Sequence, residues 1–168
     1  MTPAITELKT RARLGLKALK AGDLRLAERA RAVSRRSLAA PSEWQLRHAF
    51  HLVSQAVGFR DWDHARLVLG GEARPGSDMG AFWHAPRCSV LLNHWYARYE
   101  DALQMHRGAP ATTLFPYARQ FVVVKDEYLR ELGVDLQGGF DAVAAYGSPQ
   151  WAAWCMARLR APETTFGR

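Results

Sequence analysis

The segment Asp78 to Trp95, DMGAFWHAPRCSVLLNHW, holds the densest set of side chains able to do chemistry. His84, Cys88 and His94 offer two imidazoles and a thiolate, and Asp78 or His106 would make a fourth zinc ligand. Their spacing matches no standard zinc pattern. Apolar residues at helical spacing predict a helix from Pro86 to Gly108. On such a helix Cys88 points with Leu92 and Trp95, while His94 lies about 120° round the axis. Both cannot easily meet one ion, so neither a metal nor a cofactor is expected. A reactive Cys88 would need an adjacent base and electropositive surroundings, which spacing alone does not supply. What remains is a candidate ligand pocket at Trp83, His84, Cys88 and His94. Asn93, Tyr96, Arg98 and Glu100 on the polar side of that helix, with Tyr117, Arg119 and Gln120 leading into the strand, can line it with Trp83 and His84, or can equally serve as hydrogen bonds between packed helices. No Gly-rich phosphate loop, GxSxG elbow or HExxH helix is present, and no catalytic residue is assigned.

The second chemical feature is electrostatic. Met1 to Ala40 carries ten cations: Lys9, Arg11, Arg13, Lys17, Lys20, Arg25, Arg29, Arg31, Arg35 and Arg36. Only Glu7, Asp23 and Glu28 oppose them, so the whole formal charge of +7 sits there. Residues 41–168 are neutral overall. A basic limb on a neutral body attracts anions, and its cations can neutralise phosphates without reading sequence. The leading expectation is a non-catalytic protein that binds nucleic acid or an acidic protein through this arm. Removing the arm should then leave the body folded. The alternative is a small enzyme or ligand-binding protein centred on Trp83, His84, Cys88 and His94.

The elements that must position these residues read as mainly α, with one minor β element. Ile5, Leu8, Ala12, Leu16 and Leu19 form one helical stripe, with Lys9, Arg13, Lys17 and Lys20 in a row beside it. Gly22 and Asp23 separate this helix from a second, Leu24 to Leu38, whose thin apolar face is either lightly packed or open to another chain. Ser42 and Gln45 form a capping box for a helix ending at Gly58. Asp61 caps a short helix to Leu69, so the two make a hairpin. Gln120 to Val124 is the one convincing strand, its partner near Thr112 to Leu114. Short helices follow at Asp126 to Leu132, Asp141 to Tyr146, and from Ser148 and Pro149 to Arg160. The chain therefore divides into a basic helical arm, 1–40, and a bundle-like helical domain, 41–168, with a candidate linker at 72–80.

The stretch HAFHLVSQAVGFRDWDHARLVL, residues 48–69, resembles a short helical module of uncharacterised bacterial proteins, in some of which it precedes a glyoxalase-like domain. Gly58, Phe59 and Trp62 carry the likeness. It implies packing of the hairpin and no activity, since the residues that follow lack the repeated β-α-β-β-β pattern of a glyoxalase domain. The Ala- and Arg-rich composition points to a bacterial source. Two cysteines, no membrane-length apolar run and no signal segment place the protein in the cytoplasm.

Overall fold

Thr2 begins the first helix by accepting from the Ile5 amide while its hydroxyl donates to Leu69 O at 3.1 Å. Pro3 follows at the first helical position, where its missing N–H costs nothing. The computed structural model describes residues 1–34, 40–74 and 76–161. Among them are helices α1 (Pro3–Lys20), α2 (Leu24–Ser34), α3 (Leu46–Ala56), α4 (Trp62–Gly70), α5 (Tyr99–Gly108), α6 (Asp126–Glu131) and α7 (Pro149–Arg160). Strands β1 (His94–Tyr96), β2 (Thr113–Tyr117) and β3 (Gln120–Val124) form one antiparallel sheet in the order β1-β3-β2. A mainly α protein with a minor sheet is what the sequence predicts.

The stripe on α1 does not lead to a projecting limb. Ala4, Ile5 and Leu8 belong to the same buried cluster as Phe59, Trp83, Phe115 and Trp151. Farther along, Leu19 packs with Leu26, Ala27 and Ala30 of α2 and with Trp44 and Leu52. α1 thus lies against α3, α4 and α7 and α2 against α3, so the described part of the basic segment, residues 1–34, is a wall of the core, not an appendage. The thin face of α2 is covered within the chain by α1 and α3. Nor is 72–80 a boundary between bodies. Met79 is buried in the main core, its amide donates to Ala118 O, and His64 reaches the Asp78 carbonyl at 2.8 Å.

The hairpin of α3 and α4 turns at Gly58, whose φ of +93° suits glycine. A Cβ there would stand 2.7 Å from the carbonyl carbon of Ala81, so the turn and the chain before His84 are pressed together. Phe59 stacks on Phe82 and Trp62 on Phe50. Asp61 caps α4 as expected, accepting from the His64 amide at 2.8 Å. The cap of α3 differs from expectation: Pro41–Glu43 is a 3-10 turn, and the pair is Gln45 with His48, whose Nδ1 accepts from the Gln45 amide.

The largest departure is Pro86 to Gly108. In place of one helix there is a 3-10 turn (Pro86–Val90), then β1, then α5. Antiparallel pairing with β3, His94 opposite Val123 and Tyr96 opposite Phe121, overrides the helical spacing. β3 also pairs with β2, so its expected partner is in place, and a second flanks its other edge. Asp141 to Tyr146 is a run of turns, not a helix; Asp141 accepts from the amides of Val143 and Ala144 and receives the Tyr99 hydroxyl at 2.6 Å.

Candidate functional site

Alternation along the strands sorts the candidate residues. Trp95 stands opposite Val122, and Phe115 stands opposite Val122 on the other side, so all three share the face turned to the main core. Tyr117 and Gln120, opposite each other at the end of the β2–β3 hairpin, continue that face. His94 and Tyr96 take the reverse face, where Tyr96 packs with Ala102 of α5, Leu114, Phe121 and Val123. His94 therefore cannot join His84 and Cys88, and among the described residues no three His, Cys, Asp or Glu side chains gather as a metal group.

The hairpin tip is held in place. Ala118 adopts a φ of +45°, a conformation that costs about 1–2 kcal/mol for a residue with a Cβ. Its amide donates to Gly80 O and its carbonyl accepts from Met79, both at 2.8 Å. Tyr117 is thereby fixed over His84, with ring centroids 5.3 Å apart, and against Trp95 at 5.0 Å.

His84 is set by the buried segment before it. Trp83 stacks on Phe115 at 4.6 Å in the core, and the buried Arg158 of α7 donates to the neighbouring carbonyl of Phe82. From this anchored backbone the His84 ring reaches two hydroxyls. Nδ1 lies 2.8 Å from Tyr128 Oη, and Nε2 lies 3.0 Å from Ser89 Oγ. Tyr128, buried on α6, donates its only proton to the carbonyl of Trp83 at 2.8 Å. Its remaining capacity toward His84 is as an acceptor, so a neutral His84 carries its proton on Nδ1. Nε2 is then a bare acceptor for the Ser89 hydroxyl. Burial lowers the His84 pKa and favours this neutral ring. Burial also raises the Tyr128 pKa, which keeps the phenol protonated.

A cleft of about 400 Å³ opens over this pair. His84, Ser89, Asn93, Tyr117 and Gln120 give it polar atoms; Leu91, Leu92 and Trp95 give it an apolar wall. No lining residue bears a fixed charge. Leu92 is 82% exposed and Trp95 40%, unusual for side chains of their size. Asn93 donates to Cys88 O at 2.9 Å, while its Oδ1 is buried with no hydrogen-bond partner among the described residues.

Of the four pocket residues expected from sequence, only His84 lines the cleft. Trp83 is a core residue, and His94 is on the far face of the sheet. Cys88 is fully buried, its Sγ directed at the Tyr128 carbonyl from 3.9 Å, and burial raises its pKa away from thiolate chemistry. Of the polar residues expected to line it, Asn93, Tyr117 and Gln120 do come together with His84, whereas Tyr96, Arg98, Glu100 and Arg119 are not part of the lining. Ser89, Trp95 and Tyr128 were missed as site residues. Helical spacing through Trp95 hides the short strand that brings it to the cleft.

The basic residues follow the helices rather than a limb. Arg11 is committed to Glu7 at 2.7 Å and to Leu159 O. Lys9 is half-buried beside Met1 Sδ, and Arg31 is also half-buried. Arg13, Lys17 and Lys20 are exposed at successive turns of α1, and Arg25 and Arg29 are exposed one turn apart on α2. Arg13, Lys17 and Lys20 make no ion pair with a described residue. Arg35 and Arg36 lie outside the described residues.

Comparison of the chain with protein-family models, with curated proteins and with solved structures finds no match to any of them.

Proposed function

We propose that this is a ligand-binding protein whose cleft beside His84 takes a small, flat, uncharged organic molecule. One observation carries the reading: the His84 imidazole opens onto a charge-free cleft walled by Trp95 and Tyr117. The volume, about 400 Å³, falls within the range of roughly 300–1,000 Å³ typical of small-ligand sites. Aromatic edges offer stacking area, and His84, Asn93 and Gln120 offer hydrogen bonds that fix orientation. A charged ligand would find no opposite charge in the lining and would lose its hydration without compensation. The test is saturation-transfer NMR with a library of neutral heteroaromatic fragments. A subset should bind the wild type and lose its signal in Trp95→Ala. Equal signals in both proteins would refute the reading.

A second reading rests on the row Arg13, Lys17 and Lys20: binding of a polyanion, nucleic acid or an acidic protein, along the outer face of α1. These cations are held on a helix whose other side is bolted into the core, so they form a rigid row. Three such contacts to single-stranded nucleic acid imply a salt slope of about −2, hence a roughly tenfold or greater loss of affinity between 50 and 200 mM salt. Anisotropy with a labelled oligonucleotide should show that loss, and Arg13→Gln, Lys17→Gln and Lys20→Gln together should abolish binding. A salt-insensitive interaction would remove this reading. Among the described residues no helix is long and apolar enough to cross a membrane. Cys88 and Cys155 are both free thiols; we place the protein in a reducing bacterial cytoplasm as part of the same proposal. The likeness of residues 48–69 to the Gly-Phe-x-x-Trp module is also a proposal, and it concerns packing alone.

A further inference from the structure

We propose that Ser89 is a nucleophile activated by His84, and that the molecule taken by the cleft is a neutral carboxylic ester, which the protein hydrolyses through an acyl-Ser89 intermediate. This rests on the reading of the cleft as a ligand site and goes further by assigning it a reaction. A serine hydroxyl is a poor nucleophile unless a base removes its proton, and that base must be in the right tautomer. Here the tautomer is dictated from behind: Trp83 O takes the Tyr128 proton, Tyr128 Oη takes the His84 Nδ1 proton, and Nε2 is left facing Ser89 Oγ at 3.0 Å. Tyr128 and the Trp83 carbonyl thus orient the base, as a third group must. Ser89 itself is exposed, in the 3-10 turn Pro86–Val90 at the mouth of the cleft. Most Ser–His contacts on protein surfaces are incidental. This one is set apart by the buried two-step relay behind the imidazole and by the open cleft in front of the hydroxyl.

The lining selects the substrate class. Nothing there bears a fixed charge to hold a phosphate or a carboxylate, whereas Leu92 and Trp95 present apolar surface for an alkyl or aryl group. Gln120 offers an amide donor to a polarised carbonyl oxygen, while the Asn93 amide already donates to Cys88 O. In the first step Ser89 Oγ attacks the ester carbonyl as its proton passes to His84 Nε2. The carbonyl-to-leaving-oxygen bond then breaks, and the departing alkoxide takes that proton and leaves as an alcohol. In the second, a water gives a proton to Nε2 and attacks the acyl-serine. The acid departs, Oγ recovers the proton, and enzyme and base are regenerated.

A fluorophosphonate probe reports the nucleophile directly, because it forms a stable adduct with an activated serine that peptide mass mapping can locate. The expected result is an adduct on Ser89, lost in Ser89→Ala and formed about 100-fold or more slowly in His84→Ala, the scale of general-base assistance. Tyr128→Phe, which keeps His84 but frees its tautomer, should slow labelling by a smaller factor and serves as the check should His84→Ala fail to fold. Absence of an adduct on Ser89, or equal labelling rates in wild type and in folded His84 or Tyr128 variants, would overturn the assignment. Fragment binding measured on Ser89→Ala separates the two claims. Binding retained without labelling of the wild type removes the nucleophile alone, and loss of both removes the cleft as a ligand site.

Discussion

Trp95 and Tyr117 meet edge to face at 5.0 Å although their strands, β1 and β2, do not touch; β3 runs between them. The contact closes one wall of the cleft across the sheet and ties the short strand β1 to the hairpin. An aromatic pair of this kind contributes about 0.5–1.5 kcal/mol beyond its buried area. Trp95→Ala should therefore cost about 1 kcal/mol in urea denaturation while the protein stays folded. An unchanged midpoint would mean that the two rings do not support each other.

Tyr128 joins the carbonyl of buried Trp83 to the half-buried ring of His84. In Tyr128→Phe the Trp83 carbonyl loses its donor and the His84 Nδ1 proton loses its acceptor. Leaving buried polar groups unpaired costs about 1–3 kcal/mol each. The buried Trp83 carbonyl alone should cost the variant an amount in that range, and the half-buried His84 ring somewhat more, despite the nearly identical volume, as read by its denaturation midpoint. A neutral effect would remove the relay.

Acid should weaken the fold through His84. Burial places its folded pKa below the ordinary value of 6.5, so the unfolded chain binds the proton more readily. The contribution is full above about pH 6.5, declines as pH falls through that value, and levels off once the folded pKa is passed. Tyr128, which packs against its ring, has its own pKa raised by burial and stays protonated throughout this window. Between pH 8 and pH 5 the wild type should lose more stability than His84→Gln does. Equal losses would show that His84 is not the group responsible.

α1 supplies a core wall, so its apolar stripe is sensitive. Leu8 is fully buried among residues from the far end of the chain, and Leu8→Ala should cost about 2–5 kcal/mol. Deleting residues 1–40 should yield a chain without a cooperative unfolding transition. A well-folded truncated body would restore the picture of a detachable arm.

Local rules made much of this fold legible. The stripe on α1, the Asp61 cap, the Gly58 turn and the Ser148–Pro149 start of α7 are all decided by residues within a turn or two of each other. What stayed hidden depends on distant partners. Cys88, Leu91, Leu92, Trp95 and Tyr99 satisfy a helical spacing, yet pairing with β3 nearly thirty residues away makes a strand of His94–Tyr96. That helical spacing groups Trp95 with Cys88 and Leu92 and so conceals it as a cleft wall. Charge was misleading in a similar way. Counting cations located a basic segment correctly, but the count said nothing about Ile5 and Leu8 fitting a core assembled from residues 57–159. Ser89 had no signal at all, because one serine near one histidine is common and only the Tyr128 relay distinguishes it.

The central claim is that His84 presents an unprotonated Nε2 to Ser89 and the cleft. A long-range proton–nitrogen correlation spectrum of the imidazole near pH 8 measures this directly. A ring protonated at Nδ1, with Nε2 bare, is the predicted result, and the preference should weaken in Tyr128→Phe. A ring protonated at Nε2 would contradict the account.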